Sequence, residues 1–326
     1  MNSELQALAV PAQQIPVPRS ISPQAQAFLS LAAKRIATVL AAGEQRPNLV
    51  ATGVEAALKF IRPLAEKFKG TVETLPLAGG AQLYRVTPAQ RTTPQANVTY
   101  LDIHGGGFIS GGGEMCRLLA MVRAADYGAQ VHALDYRLMP EHLYPAALDD
   151  CMAAYRLLLA QHQARQIVIG GSSAGSNLAA ALCLRARDEG LPLPAGLLLL
   201  TPVLDLSLSG DSHQTNRYLD VNLYGGFQNI TRYAGTADKT LPYVSPLFGD
   251  FSKGWPPTFL SSGTRDLLLS DTVRMHRALR RAAVPAELYL TEAGPHAGFL
   301  GAFAPEDLEL LAECKRFVKA AWAAAS

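Results

Sequence analysis

The chain has 326 residues, of which 49% are hydrophobic and 17% are charged, and its formal net charge at pH 7 is +2. This apolar content is sufficient for a large core and excludes disorder over most of the chain. With 29 basic and 27 acidic residues, the charge balance indicates neither a nucleic acid nor an anionic membrane as a partner. We expect a globular protein with one large α/β unit or two domains.

Cysteine spacing and the first residues give expectations about metals and location. The four cysteines form no Cys-x-x-Cys pair, and the chain starts without a basic segment followed by an apolar run. We therefore expect buried free thiols, no metal site and no disulfide framework. No apolar run reaches the roughly 18 residues of a membrane helix, so the sequence predicts a cytoplasmic protein without a membrane span.

The first part of the chain predicts helices. Residues 1–20 contain three prolines and are typical of an arm without its own core. Ser22 followed by Pro23 predicts an N-cap and the first position of a helix. A second helical pattern covers Val50–Phe68, and Pro63 is expected to interrupt it.

From residue 71, short apolar runs alternate with helical patterns, which predicts βαβ units around a mostly parallel sheet. The predicted strands are Val72–Pro76, Leu83–Val86, Val98–Ile103, Val131–Asp135, Ile167–Ile169, Leu197–Leu200, Thr258–Ser262 and Ala286–Leu290. The predicted helices are Cys116–Tyr127, Pro145–Gln161, Ala174–Glu189, Asp271–Ala282 and Pro305–Ala324. The polar and aromatic segment Ser207–Asp250 interrupts this alternation, and its length is typical of a lid or a binding element.

A Gly-x-Ser-x-Gly pattern lies at residues 171–175, between a predicted strand and a predicted helix. Such a tight turn requires small flanking residues and exposes the central hydroxyl beside a helix N-terminus. Similar turns often only cap a helix, so the pattern alone does not identify a nucleophile. The predicted strand before it and the predicted helix after it strengthen that interpretation. We predict Ser173 as a nucleophile and the N–H of Ala174 as a donor to an oxyanion.

A triple glycine occurs in the segment His104–Phe108, directly after a predicted strand. Backbone N–H groups without neighbouring side chains can approach a substrate oxygen closely. Acyl transfer develops negative charge on that oxygen, so we predict Gly105 and Gly106 as oxyanion donors and His104 as a structural residue. A flexible loop or a phosphate cradle is the alternative, and the absence of a following phosphate-binding motif disfavours the cradle.

A serine nucleophile needs a base and a carboxylate that orients the base. In chains whose nucleophile lies in such a strand–turn–helix segment, the carboxylate (Asp or Glu) follows the serine and the histidine comes last. Asp266 and His296 each follow a predicted strand, where open α/β sheets build their sites. We predict Asp266 as the acid and His296 as the base. Asp271 is the rival carboxylate, but its place before a helical pattern predicts an N-cap.

These motifs resemble those of the bacterial hormone-sensitive-lipase-like (family IV) esterases, which have the α/β-hydrolase fold. The matching segments occur in the family's order over about residues 70–320. They are HGGGF at 104–108, YRLMPEHLYPAALDD at 136–150, GSSAGSNLA at 171–179, TPVLDL at 201–206, SPL at 245–247, GTRD at 263–266 and the late His296.

The resemblance implies an eight-stranded, mostly parallel sheet flanked by helices, with a helical cap. It implies N-terminal cap helices at 1–65, the core at 66–206 and 246–326, and a cap or lid insertion at 207–245. The implied activity is hydrolysis of short- to medium-chain carboxylic esters through an acyl-enzyme, without a cofactor. A homodimer through the edge strand near Ala286–Leu290 is also implied.

The substrate pocket and the reaction type leave alternatives open. Aromatic residues of the insertion indicate an apolar pocket, for which we predict Phe108, Tyr218, Tyr224 and Phe227, although a packing role fits them equally well. A medium-ring lactone hydrolase would use the same three catalytic residues as an esterase. A non-catalytic small-molecule binder on this fold is the remote alternative, and the presence of all three residues disfavours it.

Overall fold

The computed structural model of the protein describes residues 7–42, 49–94 and 97–324. Two helices come first, α1 (Pro23–Ala41) and α2 (Leu49–Ala65). The predicted N-cap is confirmed, because the Ser22 side chain accepts a hydrogen bond from the N–H of Ala25 at 3.2 Å. The predicted interruption at Pro63 is wrong: α2 continues through this residue and ends at Ala65. Proline removes one backbone hydrogen bond here, and only two helical residues follow it.

Eight strands form one sheet in the order β1-β2-β4-β3-β5-β6-β7-β8. They are β1 (Gly70–Pro76), β2 (Gln82–Pro88), β3 (Thr99–Ile103), β4 (Gln130–Asp135), β5 (Ile167–Ser172), β6 (Gly196–Leu200), β7 (Thr258–Gly263) and β8 (Ala286–Thr291). The pairs β1–β2 and β2–β4 are antiparallel, and every other pair is parallel. The predicted eight-stranded, mostly parallel α/β sheet is confirmed.

Helices cover both faces of the sheet. They are α3 (Glu114–Tyr127), α4 (Ala146–Leu159), α5 (Ala174–Asp188), the four-residue α6 (Ser212–Thr215), α7 (Leu269–Arg281) and α8 (Pro305–Ala323). Buried residues of α4, α5 and α7 share one apolar cluster, whereas those of α3 and α8 share another. Alternate residues of β3 enter different clusters, Leu101 the first and Tyr100 the second, because successive strand side chains point to opposite faces.

The central strands are apolar because they are covered on both sides. All residues of Ile167–Ile169 and Leu197–Leu199 are fully buried, as expected for parallel strands between two helix layers. The loops of the candidate site begin at the carboxyl ends of β5 in this buried centre, of β7 beside it and of β8, which pairs with β7.

The segment between β6 and β7 contains α6 and several short 3₁₀ turns in place of a single long helix. Within the ranges that the structure describes, no helix is both long enough and apolar enough to cross a bilayer. All four cysteines are free and buried, which confirms the expectation of buried thiols. The cytoplasmic location stays a prediction.

Candidate active site

Ser173 lies in a strained turn between β5 and α5. Its φ of 54° and ψ of −117° place a residue with a side chain in a region that such residues rarely adopt. The flanking glycines make the turn possible: a Cβ on Gly171 would lie 2.3 Å from the backbone of Gly175, and one on Gly175 would lie 1.9 Å from the carbonyl oxygen of Ile103. The turn therefore requires glycine on both sides of the serine.

Three loops bring Ser173, His296 and Asp266 together at the carboxyl ends of parallel strands. Ser173 Oγ lies 2.9 Å from Nε2 of His296, and Nδ1 of His296 lies 3.1 Å from Oδ1 of Asp266. All three side chains are buried. The chain thus places a hydroxyl, an imidazole and a carboxylate in one hydrogen-bonded line, although 123 positions separate the serine from the histidine.

The surroundings of this line favour a basic imidazole and give the carboxylate further hydrogen bonds. Asp266 also accepts hydrogen bonds from Ser262 Oγ at 2.7 Å and from the N–H of Leu268 at 2.9 Å. Burial lowers the pKa of His296, but the charge of Asp266, its hydrogen bond and the charge of Asp220 together raise that pKa above the ordinary histidine value. A base of this kind can accept the hydroxyl proton at Nε2.

The glycine loop after β3 contacts the turn that holds the serine. A Cβ on Gly105 would lie 2.8 Å from the carbonyl oxygen of Ser172 and 3.4 Å from Cβ of Ser173. Gly106 has a φ of +114°, and a Cβ there would lie 2.2 Å from the carbonyl oxygen of Ser110. The absence of a side chain at Gly105 therefore lets this loop pack directly against the turn that holds Ser173.

The side chain of His104 contacts the glycine loop and Tyr136. Its ring stacks on Tyr136 with a centroid distance of 4.2 Å, and its Nδ1 lies 2.7 Å from the carbonyl oxygen of Gly105. Burial lowers the pKa of His104 below the ordinary histidine value, so the ring is neutral at pH 7. These contacts fit the predicted structural role.

Comparisons with known proteins find similarity over most of the chain. A family model described as the alpha/beta hydrolase fold matches residues 100–300. An esterase of Acinetobacter venetianus is 36% identical over 233 residues, which cover 68% of this chain and 76% of that protein. The chain belongs to the α/β-hydrolase family.

Solved structures similar to this α/β hydrolase define its branch of the family. The crystal structure of an esterase is 33% identical, with a TM-score of 0.83 and coverage of 96% of this chain and 98% of the other. A hormone-sensitive lipase from a metagenome library is 31% identical, with a TM-score of 0.72 and coverage of 90% and 98%. The protein is a hormone-sensitive-lipase-like esterase, and its reaction class is the hydrolysis of carboxylic esters.

The rival carboxylate of this esterase, Asp271, has other partners. It accepts hydrogen bonds from the N–H groups of Leu204 at 2.8 Å and Asp205 at 3.0 Å, and it lies 3.2 Å from Nε2 of His213. The predicted N-cap role of Asp271 is wrong, because α7 begins at Leu269 and Asp271 lies within its first turn. It connects α7 to the segment after β6.

The four aromatic candidates for the substrate pocket have different environments. Tyr218 is 61% exposed, and its ring meets that of Tyr224 at a centroid distance of 5.4 Å. Phe227 contacts the glycine loop, since a Cβ on Gly107 would lie 2.8 Å from its ring. Phe108 is 1% exposed and packs in the main apolar cluster. The roles of all four in substrate binding stay predictions.

Three polar residues of the insertion escaped the sequence prediction. The side chains of Asn216, Asp220 and Asn222 form hydrogen bonds with the backbone of the loops that carry Asp266 and His296. Burial and the charge of Asp266 raise the pKa of Asp220 to about 6. No local pattern identifies these residues, because their partners lie 47 to 76 positions away in the chain.

Proposed function

We propose that this esterase works through an acyl-enzyme, with Ser173 as nucleophile, His296 as base and Asp266 as acid. The observation that supports this is the line of contacts at 2.9 Å from Ser173 Oγ to His296 Nε2 and 3.1 Å from His296 Nδ1 to Asp266 Oδ1. Ser173 Oγ attacks the ester carbonyl while its proton moves to Nε2. The proton then passes to the leaving alkoxide as the ester C–O bond breaks, and water releases the acid by the same steps.

The charge that develops on the carbonyl oxygen needs donors. We assign this role to the N–H groups of Gly105, Gly106 and Ala174. The short approach of Gly105 to Ser173 supports the assignment, as does the position of Ala174 at the first turn of α5, where N–H groups lack intrahelical partners. Removal of one such donor costs about 10²–10³-fold in kcat.

The first experiment tests the nucleophile. Ser173→Ala lowers kcat for p-nitrophenyl esters by about 10⁴-fold or more, because alanine has no hydroxyl to attack the ester carbonyl. Ser30→Ala, at an exposed position of α1, is the matched control and keeps full activity. Activity of Ser173→Ala within tenfold of wild type would contradict the proposal.

The same assay addresses the substrate and the remote alternative of a binder. We propose short- to medium-chain esters, as the resemblance to family IV esterases implies. Across p-nitrophenyl esters from acetate to decanoate, kcat/KM peaks at short or medium chains; a steady rise to decanoate would overturn this.

An organophosphate adduct on Ser173, detected by mass spectrometry, distinguishes an enzyme with an activated serine from a non-catalytic binder, which would not react.

We further propose that residues 1–65 and 207–245 form a cap over a core built from 66–206 and 246–326. Two contacts support this division. The ring of Phe28 in α1 meets that of Phe299 edge-on at a centroid distance of 5.9 Å, and Asn222 Nδ2 donates to the carbonyl oxygen of His296 at 2.6 Å. Both segments thus contact the loop that carries the proposed base.

A further inference from the structure

The segment 207–245 bonds to the backbone of both loops that complete the proposed triad. We infer that Asp220 is a positioning residue for ester hydrolysis, which holds the Asp266 loop and the His296 loop in register and adds a second negative charge beside the imidazole. This inference rests on the proposed roles of Ser173, His296 and Asp266.

A single carboxylate joins the two loops. Oδ2 of Asp220 accepts a hydrogen bond from the N–H of Leu267 at 2.8 Å, directly after the proposed acid. The N–H of His296 lies 3.2 Å from Oδ2 and 3.3 Å from Oδ1 of the same carboxylate. Asp220 is fully buried, so water does not compete for these bonds.

Asp220 is itself held in place. Its Oδ1 accepts hydrogen bonds from the N–H groups of Asn222 at 3.0 Å and Leu223 at 3.1 Å, within its own turn. Backbone donors from three segments therefore converge on one carboxylate. Burial and the charge of Asp266 raise the pKa of Asp220 to about 6, and these backbone hydrogen bonds act in the opposite direction. A neutral amide at this position would present an NH₂ group to some of these donors and would lose bonds to them.

Two asparagines of the same insertion also bond to the backbone of these two loops. Asn216 Nδ2 donates to the carbonyl oxygen of Asp266 at 2.8 Å and to that of Thr264 at 3.2 Å. Asn222 Nδ2 donates to the carbonyl oxygens of His296 at 2.6 Å and Gly298 at 3.0 Å. Both donate to backbone oxygens, so they fix the path of the loops and leave the proposed acid and base free for chemistry.

The position of Asp220 affects the reaction in two ways. A displacement of about 1 Å in a catalytic group can cost about 10²-fold in rate, and the two loops carry the acid and the base. The charged groups that face His296 are Asp266 at Nδ1 and Asp220 at the backbone; those that face Asp220 are Asp266 and His296. Two negative charges favour the imidazolium that forms when Ser173 loses its proton.

The experiment compares Asp220→Asn with Asp211→Asn, an exposed aspartate of the same insertion, and records kcat, KM and the pH profile of each. Asp220→Asn lowers kcat by about 10²-fold with KM within about threefold. Loss of the negative charge also lowers the pKa of His296, so the acid limb of kcat/KM moves to lower pH. Asp211→Asn behaves as wild type in all three measurements.

A purely structural role for Asp220 would lower stability without moving the acid limb. The proposal is overturned if Asp220→Asn keeps the wild-type limb, or if its kcat stays within threefold of wild type. Should this variant fail to fold, Asn222→Ala removes a neutral anchor of the same loop. It lowers kcat by about tenfold with an unchanged acid limb, and full activity in it overturns the proposal.

The test of the positioning role of Asp220 can fail independently of the test of Ser173 as nucleophile. If Ser173→Ala abolishes activity while Asp220→Asn does not impair it, the positioning role alone is wrong. If Ser173→Ala stays active, the nucleophile assignment is wrong, and the effect of Asp220 then has another origin.

Discussion

The lack of a side chain at Gly105 lets the glycine loop touch the turn that holds Ser173. Its backbone has no positive φ, so the residue is not needed for an unusual conformation. What matters is space, because a Cβ there would lie 2.8 Å from the carbonyl oxygen of Ser172. An added methyl group must therefore push the loop away from the proposed oxyanion site.

Gly105→Ala provides a test of that geometry. We expect kcat to fall by about 10²–10³-fold with a smaller change in KM, because the donors move relative to the developing charge. Gly190→Ala is the matched control: it has a φ of +74° and open space around a Cβ, so it loses some stability and keeps its kcat. A kcat within threefold of wild type in Gly105→Ala would contradict the assignment of the oxyanion donor.

For single residues, the sequence predicts the catalytic candidates better than the residues of distant segments that hold them in place. Ser173 could be predicted because strand, tight turn and helix follow one another in the chain, and Asp266 and His296 because both follow strands. Their roles stay predictions, but the structure does bring them within hydrogen-bond distance. Asp220 could not be predicted, since its partners Leu267 and His296 are 47 and 76 positions away and no pattern in the insertion refers to them.

Among the elements, the buried central strands could be predicted from composition, whereas the start of α7 could not. Apolar runs such as Ile167–Ile169 are buried by helices on both faces, so composition alone identifies them. The predicted start of α7 at Asp271 is two residues too late, because an aspartate before a helical pattern resembles a capping residue. The N–H of Leu268 bonds instead to Asp266, which lies beyond the helix, and Asp271 is free to bind the segment after β6.

Helix α1 belongs to the structure around the histidine loop. Ala25 and Leu29 of this helix, together with Ile21 just before it, share an apolar cluster with Phe299 of the loop that follows His296. The N–H and the hydroxyl of Ser22 donate to the carboxylate of Glu306 at 2.6 and 2.8 Å. Apolar packing and a charged acceptor thus hold the same end of the helix.

Truncation of one buried side chain should loosen α1. Leu29 is 1% exposed, and Leu29→Ala costs about 2–5 kcal/mol through lost burial and a cavity. We expect hydrogen exchange of the α1 amides to accelerate by about 30-fold or more, since each 1.4 kcal/mol is a factor of about ten. Leu31→Ala, in the same helix at 61% exposure, is the control and leaves exchange unchanged. Equal exchange in both variants would show that α1 is held by other contacts.

At the scale of the molecule, alternation of strands and helices determines where a site can form. Parallel strands place their carboxyl ends on one side, so β5, β7 and β8 direct their following loops to the same edge. The sequence could therefore predict the side of the sheet that carries the chemistry. It could not predict how the insertion bonds to those loops, because that depends on contacts between segments far apart in the chain.

The sheet ends in an unpaired edge at β8, which is the last strand in the order and has β7 as its neighbour. An exposed edge offers backbone donors and acceptors to a second strand. We propose that two copies of the chain pair through β8, as expected for a homodimer near Ala286–Leu290. Leu290 lies on this strand and is 42% exposed, so it would be covered on pairing.

Light scattering tests the pairing. We expect a particle of about twice the chain mass of 34.8 kDa, because pairing through β8 joins two copies. Leu290→Lys places a positive charge on each edge, so like charges meet across the interface and the particle mass falls to that of one chain. Leu308→Lys, on α8 at 55% exposure, is the matched control and stays dimeric. A wild-type particle with the mass of a single chain excludes the dimer. If both variants are dimers, the interface does not include β8.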